Sequence, residues 1–313
     1  MAQNRSMLES DAPVTFNKGE HHFQTGLEVN DVLQRLVLPM TVTLQVTRRC
    51  NLRCIYCSED AMIKEPTHAF LAGMIDKLQG VNRVIIAGGE PTLRKDLADI
   101  ADELARKVNV VAMASNVVLM TPELASRLSR SLSYVDVTID GKRETHNKIR
   151  GSYDQVLKGI HLLIDAGIEV SLVTVLLTDN EADVLDVCRL ANELNAKKLK
   201  ILTPIRKGRG ANILSHGLET EDLAEVFERV KEAKAKNGWR TRVTLTDWEY
   251  VNEGHAILVH PNGDVVASPV PSEPGCVKLL GNLQNQELAE IWKSYPFREN
   301  HVNKYLEETL YVC

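Results

Sequence analysis

The sequence predicts an α/β protein built as a partial (β/α)6 barrel with a small α+β extension at its C-terminal end. Three observations lead there. From Thr41 onward, β-rich apolar runs alternate with amphipathic helical stretches, the pattern of βα units in series. After about Ala235 this rhythm gives way to shorter strand-like runs around a Pro-Asn-Gly-Asp turn. Almost every unusual polar or glycine cluster follows a predicted strand, and the C-terminal rim of a βα barrel is where active sites are built.

Residues 1–40 read as an N-terminal extension, with a short apolar-periodic stretch at Val32, Leu33, Leu36 and Val37 that Pro39 ends. Residues 41–240 form the barrel. Its strands are predicted at Thr41–Val46, Arg83–Ile86, Val110–Ala114, Tyr134–Ile139, Val170–Leu176 and Lys198–Leu202. Helical periodicity lies between them at Asp96–Lys107, Pro122–Leu132, Asp154–Ala166 and Glu181–Leu194, the last with Asn180 as its N-cap, and again near Leu223–Ala235. Residues 241–313 form the extension. A strand around Val243, a hairpin from Ala256–Val259 to Val265–Ala267 and a final helix near Leu288–Lys293 read there as an antiparallel segment.

Composition narrows the function. The chain has 313 residues, is 44% hydrophobic and 25% charged, and carries a net charge of −5, so it lacks the basic face that phosphate backbones select. Nucleic acid is therefore not an expected partner. No secretory signal and no bilayer-length apolar run is visible, so the expectation is a cytoplasmic protein with no membrane contact. Six cysteines, three of them crowded into Cys50, Cys54 and Cys57, look like metal chemistry rather than a disulfide framework.

The Cys-x3-Cys-x2-Cys loop follows the first predicted strand directly and can hold three irons of a 4Fe-4S cube, leaving the fourth open as a catalytic metal requires. A structural zinc or electron-transfer site would want a fourth ligand nearby; the nearest downstream Cys or His is His68. Gly88-Gly89-Glu90-Pro91 follows the second strand, Ser115-Asn116 the third and Asp140-Gly141 the fourth.

Arg49-Cys50-Asn51-Leu52-Arg53-Cys54-Ile55-Tyr56-Cys57 resembles the signature loop of the radical S-adenosylmethionine (SAM) superfamily, and Gly88-Gly89-Glu90-Pro91-Thr92-Leu93 resembles its GGE motif. The likeness extends over roughly residues 41 to 215. It implies a radical SAM barrel whose Cys50, Cys54 and Cys57 bind one 4Fe-4S cluster, with SAM chelating the open iron. It further implies that Gly88, Gly89, Glu90 and Pro91 lie on the amine side of SAM, where glycine permits close approach, and that Tyr56 contacts adenine or packs the loop. Ser115 and Asn116 suit ribose hydroxyls or the SAM carboxylate, or form a turn pair. Arg150 and Arg209 can each fork onto a carboxylate or form an internal salt bridge. Asp140 is a further cofactor-side candidate within an ordinary Asp-Gly turn.

Val259 to Ala267, Gly281-Asn282-Leu283 and Glu290-Ile291-Trp292 resemble the opening of a SPASM or twitch domain, which holds auxiliary clusters in many radical SAM enzymes. Ser268 stands where that family places its first cluster cysteine. Of the remaining thiols, Cys188 sits in an apolar helical pattern, and Cys276 and Cys313 are too few for a second cube. Cys276 becomes a candidate hydrogen donor, with packing as its alternative. The expected reaction is reductive cleavage of SAM and hydrogen abstraction from a polar small molecule such as a sugar, nucleoside or amino-sugar, with a redox-neutral outcome and flavodoxin or ferredoxin as electron donor. A peptide-modifying enzyme is the alternative, although about forty residues before the first strand are few for a peptide-recognition domain; a non-enzymatic iron–sulfur or zinc protein is the third reading.

Overall fold

The computed structural model describes residues 15–17, 22–24, 36–59, 64–205, 207–213, 220–247, 256–267, 279–295 and 311–313. Ser268 and Cys276 lie outside the described residues, as do Val32 and Leu33. Leu36 is buried in the core and Val37 is exposed.

Strands β1 (Thr15–Asn17) and β2 (His22–Gln24) pair as a separate antiparallel ribbon. The six predicted strands are all present: β3 (Thr41–Thr47), β4 (Arg83–Gly88), β5 (Val110–Ser115), β6 (Tyr134–Thr138), β7 (Glu169–Val175) and β8 (Lys198–Leu202). Each is parallel to the next, in sequence order. Helices α1 (His68–Asp76), α2 (Leu97–Ala105), α3 (Pro122–Leu128), α4 (Arg143–Ile149), α5 (Tyr153–Asp165), α6 (Val184–Glu193) and α7 (Thr220–Asn237) connect them, and α8 (Leu288–Trp292) follows later. The apolar parity of the strands, including Val42, Leu44, Val84, Ile86, Val135, Leu172, Leu199 and Ile201, packs in one continuous core with these helices. Each such fully buried side chain contributes about 1.5–3 kcal/mol. This is a partial barrel with its helices on the outside.

The opposite parity faces the lumen and mixes polar groups, Thr41, Gln45, Thr47, Arg83, Asp136, Ser171, Lys198, Lys200 and Thr244, with a small cluster of Ile85, Val110, Ala112 and Tyr134. Parallel strands normally read as unbroken apolar runs because both faces are covered. Here the second face is kept for other uses.

Strand β9 (Arg242–Thr246) departs from the sequence reading, which places it in an antiparallel segment. It runs parallel to β8 as a seventh barrel strand and takes an antiparallel partner, β13 (Tyr311–Val312), on its outer edge. The cause is α7, whose 18 residues make a full βα crossover ahead of it. The predicted hairpin of β10 (Ala256–Val259) and β11 (Asp264–Ala267) is present, with Gly263 at φ 88 in its turn. Strand β12 (Leu279–Asn282) pairs with β11, and β10 lies parallel to β3. The result is one 11-stranded sheet in the order β12-β11-β10-β3-β4-β5-β6-β7-β8-β9-β13.

Asn180 is not a cap. A 3-10 turn at Glu181–Asp183 precedes α6, and Asn180 makes no side-chain cap bond. Its buried amide accepts from Leu177 N at 2.8 Å and donates to Val175 O at 2.9 Å and Asp140 O at 3.3 Å. Backbone groups left over at the ends of β6 and β7 claim it instead. Helices α1 and α4 are additions to the predicted set; α1 starts at Thr67, whose hydroxyl accepts from Phe70 N at 3.2 Å.

Candidate active site

The ends of β3 to β8 surround a cleft of about 320 Å³. Cys50, Cys54, Tyr56 and Cys57 line it from the loop after β3, Gly88, Gly89 and Glu90 from the loop after β4, Ser115 and Asn116 from the end of β5, and Arg150 from the end of α4. Thr138, Val175, Leu202 and Thr203 complete the wall. Pro91, Asp140 and Arg209 lie behind these groups rather than on the cleft surface.

The two motif loops are zipped together by backbone. Gly89 N donates to Thr47 O at 2.9 Å and Glu90 N to Arg49 O at 2.7 Å. A Cβ at Gly89 would sit 2.2 Å from Arg49 O, and one at Gly88, where φ is 144, would sit 2.1 Å from Thr47 O. Glycine at both positions makes room for the cysteine loop.

Glu90 is fully buried, and four donors converge on it. Its Oε1 accepts from Thr92 N at 3.0 Å, Thr92 Oγ1 at 2.7 Å and Ser115 Oγ at 2.7 Å, and its Oε2 accepts from Asn116 N at 2.7 Å. Pro91 is the first residue of the 3-10 turn that Glu90 caps. Asn116 Nδ2 donates to Asn51 Oδ1 at 2.9 Å and lies 4.0 Å from Cys50 Sγ. Ser115 and Asn116 thus brace Glu90 and the cysteine loop through these bonds. Val117 follows with φ 51, an outlier for a β-branched residue, and its carbonyl packs where a Cβ on Gly159 would come within 2.3 Å.

Behind Cys54 lies a buried triad. Tyr56 Oη donates to Asp140 Oδ2 at 2.5 Å and accepts from Arg150 Nη1 at 2.6 Å, and Arg150 Nη1 also reaches Asp140 Oδ2 at 3.1 Å. Burial opposes the Arg150 charge, but Tyr56 and Asp140 hold it firmly protonated. Burial raises the Tyr56 phenol well above its ordinary range, Arg150 pulls it back, and Asp140 adds to the rise. Arg150 thus makes the internal salt bridge, while its buried Nε has no hydrogen-bond partner among the described residues. A buried orphan donor on a cleft wall is the group a carboxylate ligand would satisfy.

Arg209 holds the cysteine loop. Its Nε donates to Cys54 O and its backbone N to Cys57 O, both at 2.9 Å. Gly208 and Gly210 approach the same loop so closely that a Cβ would come within 2.7 Å of Cys57 O and 2.8 Å of Tyr56 O.

A second support was not singled out in the sequence. Glu59, on the cleft beside Cys57, accepts from Gln45 Nε2 at 2.9 Å and lies 3.6 Å from Arg48 Nε, while Arg48 Nη2 donates to His260 Nδ1 at 2.8 Å. His260 ends β10, so the C-terminal hairpin braces the cysteine loop. Burial, then Arg48, pushes His260 down to about 4, so the ring is neutral, and its Nδ1 also lies 2.9 Å from Gln45 Oε1.

The donor set fits an iron–sulfur cluster. Three thiols share one cleft with a buried cation. Burial pushes Cys50 and Cys54 up and Arg150 opposes that rise in both, so metal loading displaces thiol protons. Among the described residues, no three Cys, His, Asp or Glu side chains converge on a single ion position. Three thiols on one loop, each able to take one iron, are the donor set of a polynuclear cluster with an open iron.

A model of the radical SAM superfamily matches residues 44–191. Over 291 residues the chain is 31% identical to mycofactocin maturase MftC of Mycobacterium tuberculosis, covering 83% of this chain and 72% of that relative. The chain belongs to the radical SAM superfamily. As a radical SAM protein it uses a 4Fe-4S cluster and SAM. It is also 31% identical over 205 residues to Fe-coproporphyrin III synthase of Methanosarcina barkeri, covering 62% of this chain, and it spans only about half of that relative's length, 51%. Its fold is that of Streptococcus suis SuiB bound to the precursor peptide SuiA, with a TM-score of 0.72 at 14% identity over 86% of this chain and 68% of SuiB. Among the described residues no helix is long and apolar enough to cross a membrane.

Proposed function

We propose that this radical SAM enzyme takes a hydrogen atom from a polar small molecule and releases a product at the same oxidation level, as a lyase, isomerase or epimerase does. The observation that carries the reading is the compact cleft, with three thiols on one wall and Arg150, whose buried Nε has no partner among the described residues, on another. The bound cluster and SAM supply a 5′-deoxyadenosyl radical when the cluster is reduced. In this reading Cys50, Cys54 and Cys57 hold the cluster, and Arg150 Nε takes the SAM carboxylate. Glu90 Oε2, which among the described residues accepts from Asn116 N, receives the SAM amine beside Gly88 and Gly89 in this reading. Tyr56 flanks adenine, while Pro91, Ser115, Asn116, Asp140 and Arg209 keep those groups in place.

The redox-neutral outcome rests on a single cluster. Among the described residues the remaining thiols are Cys188 and Cys313, which pack with the main core and do not line the cleft. Cys276 stays the candidate hydrogen donor. The electron donor is flavodoxin or ferredoxin.

A relative named for Fe-coproporphyrin III synthesis supports a small-molecule substrate, and the fold shared with peptide-bound SuiB favours a peptide as the second reading. Anaerobically reconstituted protein reduced in the presence of SAM is expected to release 5′-deoxyadenosine and to hold about four irons per chain. Polar small molecules and peptides, compared by how far each accelerates that release, separate the readings. Acceleration by peptides alone overturns the small-molecule reading, and absence of any 5′-deoxyadenosine overturns both.

A further inference from the structure

The outer side of the cysteine loop carries charge that the cleft does not use. Cys50 is the exposed member of the three cleft thiols, whereas Cys54 and Cys57 are half-buried. Its neighbours Arg49, Asn51 and Arg53 are exposed as well, and Arg53 has no hydrogen-bond or ion-pair partner among the described residues. Arg49 Nε lies 3.3 Å from Glu65 Oε2 and Arg94 Nη1 lies 3.4 Å from Glu65 Oε1, so two guanidinium groups share that one carboxylate. Lys95, next to Arg94 in the loop after β4, is exposed and is also without a partner among the described residues. Asp96 is already taken by Arg94 at 2.6 Å and by His68 at 2.9 Å. In a chain whose net charge is −5, this stretch is locally cationic.

The loop after β5 adds an apolar group. Asn116 Nδ2 donates to Asn51 Oδ1 at 2.9 Å, and three residues further on stands Leu119, one of the few large apolar side chains left exposed among the described residues. An exposed apolar group beside cations whose neighbouring acids are already engaged fits an acidic protein partner. Cys50 decides what that partner brings. Its Sγ accepts from Leu52 N at 3.4 Å and lies 4.0 Å from Asn116 Nδ2. Hydrogen bonds to a cluster sulfur and exposure to solvent both govern how readily an electron is taken up. In the reading above SAM and substrate occupy the cleft, which leaves the outer side of the loop for delivery of the electron.

We propose that this outer face, with Arg49 and Arg53 beside Cys50 and with Lys95 and Leu119 from the next two loops, is the docking surface for a small acidic one-electron carrier protein. This deepens the function proposed above and rests on it. One electron leaves the reduced carrier for each SAM cleaved, so a flavodoxin hydroquinone departs as the semiquinone. Opposite charge steers the encounter, and salt screens it.

The test titrates anaerobically reconstituted holoenzyme calorimetrically with flavodoxin and, separately, with ferredoxin. Saturable binding of at least one carrier is expected, about tenfold weaker at high salt than at low. Arg53→Glu is expected to weaken it by about tenfold or more, and Arg53→Lys to stay within about threefold of wild type. Lys95→Glu lies off the cysteine loop and is expected to weaken binding about threefold, which keeps the test open should Arg53→Glu load its cluster poorly. Arg106→Glu makes the same change of net charge at the C-terminal end of α2, away from the cleft, and is expected to bind like wild type. Release of 5′-deoxyadenosine is followed with the reduced carrier and with dithionite, which needs no docking. The ratio of the carrier-driven to the dithionite-driven rate is expected to fall about tenfold in Arg53→Glu. No saturable binding of either carrier, undiminished binding by both Arg53→Glu and Lys95→Glu, or an equal loss in Arg106→Glu overturns the proposal. Carrier binding without 5′-deoxyadenosine from either reductant sinks the reaction proposed for the cleft and leaves the docking surface standing.

Discussion

At the scale of single residues, the cleft separates groups that meet ligands from groups that hold them. Cys50→Ala, Cys54→Ala and Cys57→Ala are each expected to abolish both cluster and SAM cleavage, since no other described thiol lines the cleft. Cys188→Ala should keep the full iron content and cost about 1 kcal/mol, its thiol being buried in the core and pushed up to about 12 by desolvation. Iron analysis and denaturation of the four variants check this. Arg150 invites a finer substitution. Deleting it would strand the buried Asp140 carboxylate, at a cost of about 3–5 kcal/mol, and confound binding with folding. Arg150→Lys keeps a cation beside Asp140 but has no Nε. The expected result is a melting point close to wild type with SAM bound about tenfold more weakly, a loss of about 1.4 kcal/mol. Unchanged SAM affinity would return Arg150 to a purely internal role.

At the scale of elements, the strands that carry the site were legible because each is an apolar run ending in a polar or glycine cluster. Why each glycine is there was not legible. Gly89 reads as a point of ligand approach, whereas the loops after β3 and β4 meet at Gly89 through backbone alone. The clash distance decides what a substitution does. With a Cβ 2.2 Å from Arg49 O, Gly89→Ala must part the two loops. It is expected to lower stability by about 1–3 kcal/mol and to reduce cluster content together with SAM affinity. Denaturation of the metal-free variant checks the first effect. A variant with wild-type stability that has lost only SAM binding would restore the ligand-approach reading. Arg209 adds to this: only the fold shows its Nε on the carbonyl of Cys54 and its backbone N on that of Cys57. The polarity of β3 was a missed signal. Thr41, Thr43, Gln45 and Thr47 alternate with apolar residues in a strand that parallel pairing would make wholly apolar.

At the scale of the whole molecule, the sheet joins residues that no sequence pattern links. Arg48 and His260 meet because β10 lies parallel to β3, so the cysteine loop is braced by a hairpin 212 positions away. His146 does the corresponding work on the other flank: its Nδ1 accepts from Asp140 N at 3.2 Å and its Nε2 lies 3.2 Å from Gly151 O, a pairing that requires the neutral ring. Burial, then Arg150, pushes His146 down to about 4, and burial, then Arg48, does the same to His260. Both therefore fold uncharged. Between about 4 and the ordinary value of 6.5, the unfolded chain binds more protons than the native one, so stability climbs with pH across that window and is lost as pH falls through it. Each histidine contributes on the order of 3 kcal/mol to the drop. Urea denaturation of the metal-free protein at several pH values from 7 to 4 should show a loss of several kcal/mol. His146→Gln keeps one acceptor and one donor but cannot be charged. It should be less stable than wild type at pH 7 and lose markedly less on acidification. A wild-type pH slope in that variant would mean that the brace around Asp140 does not depend on an uncharged ring.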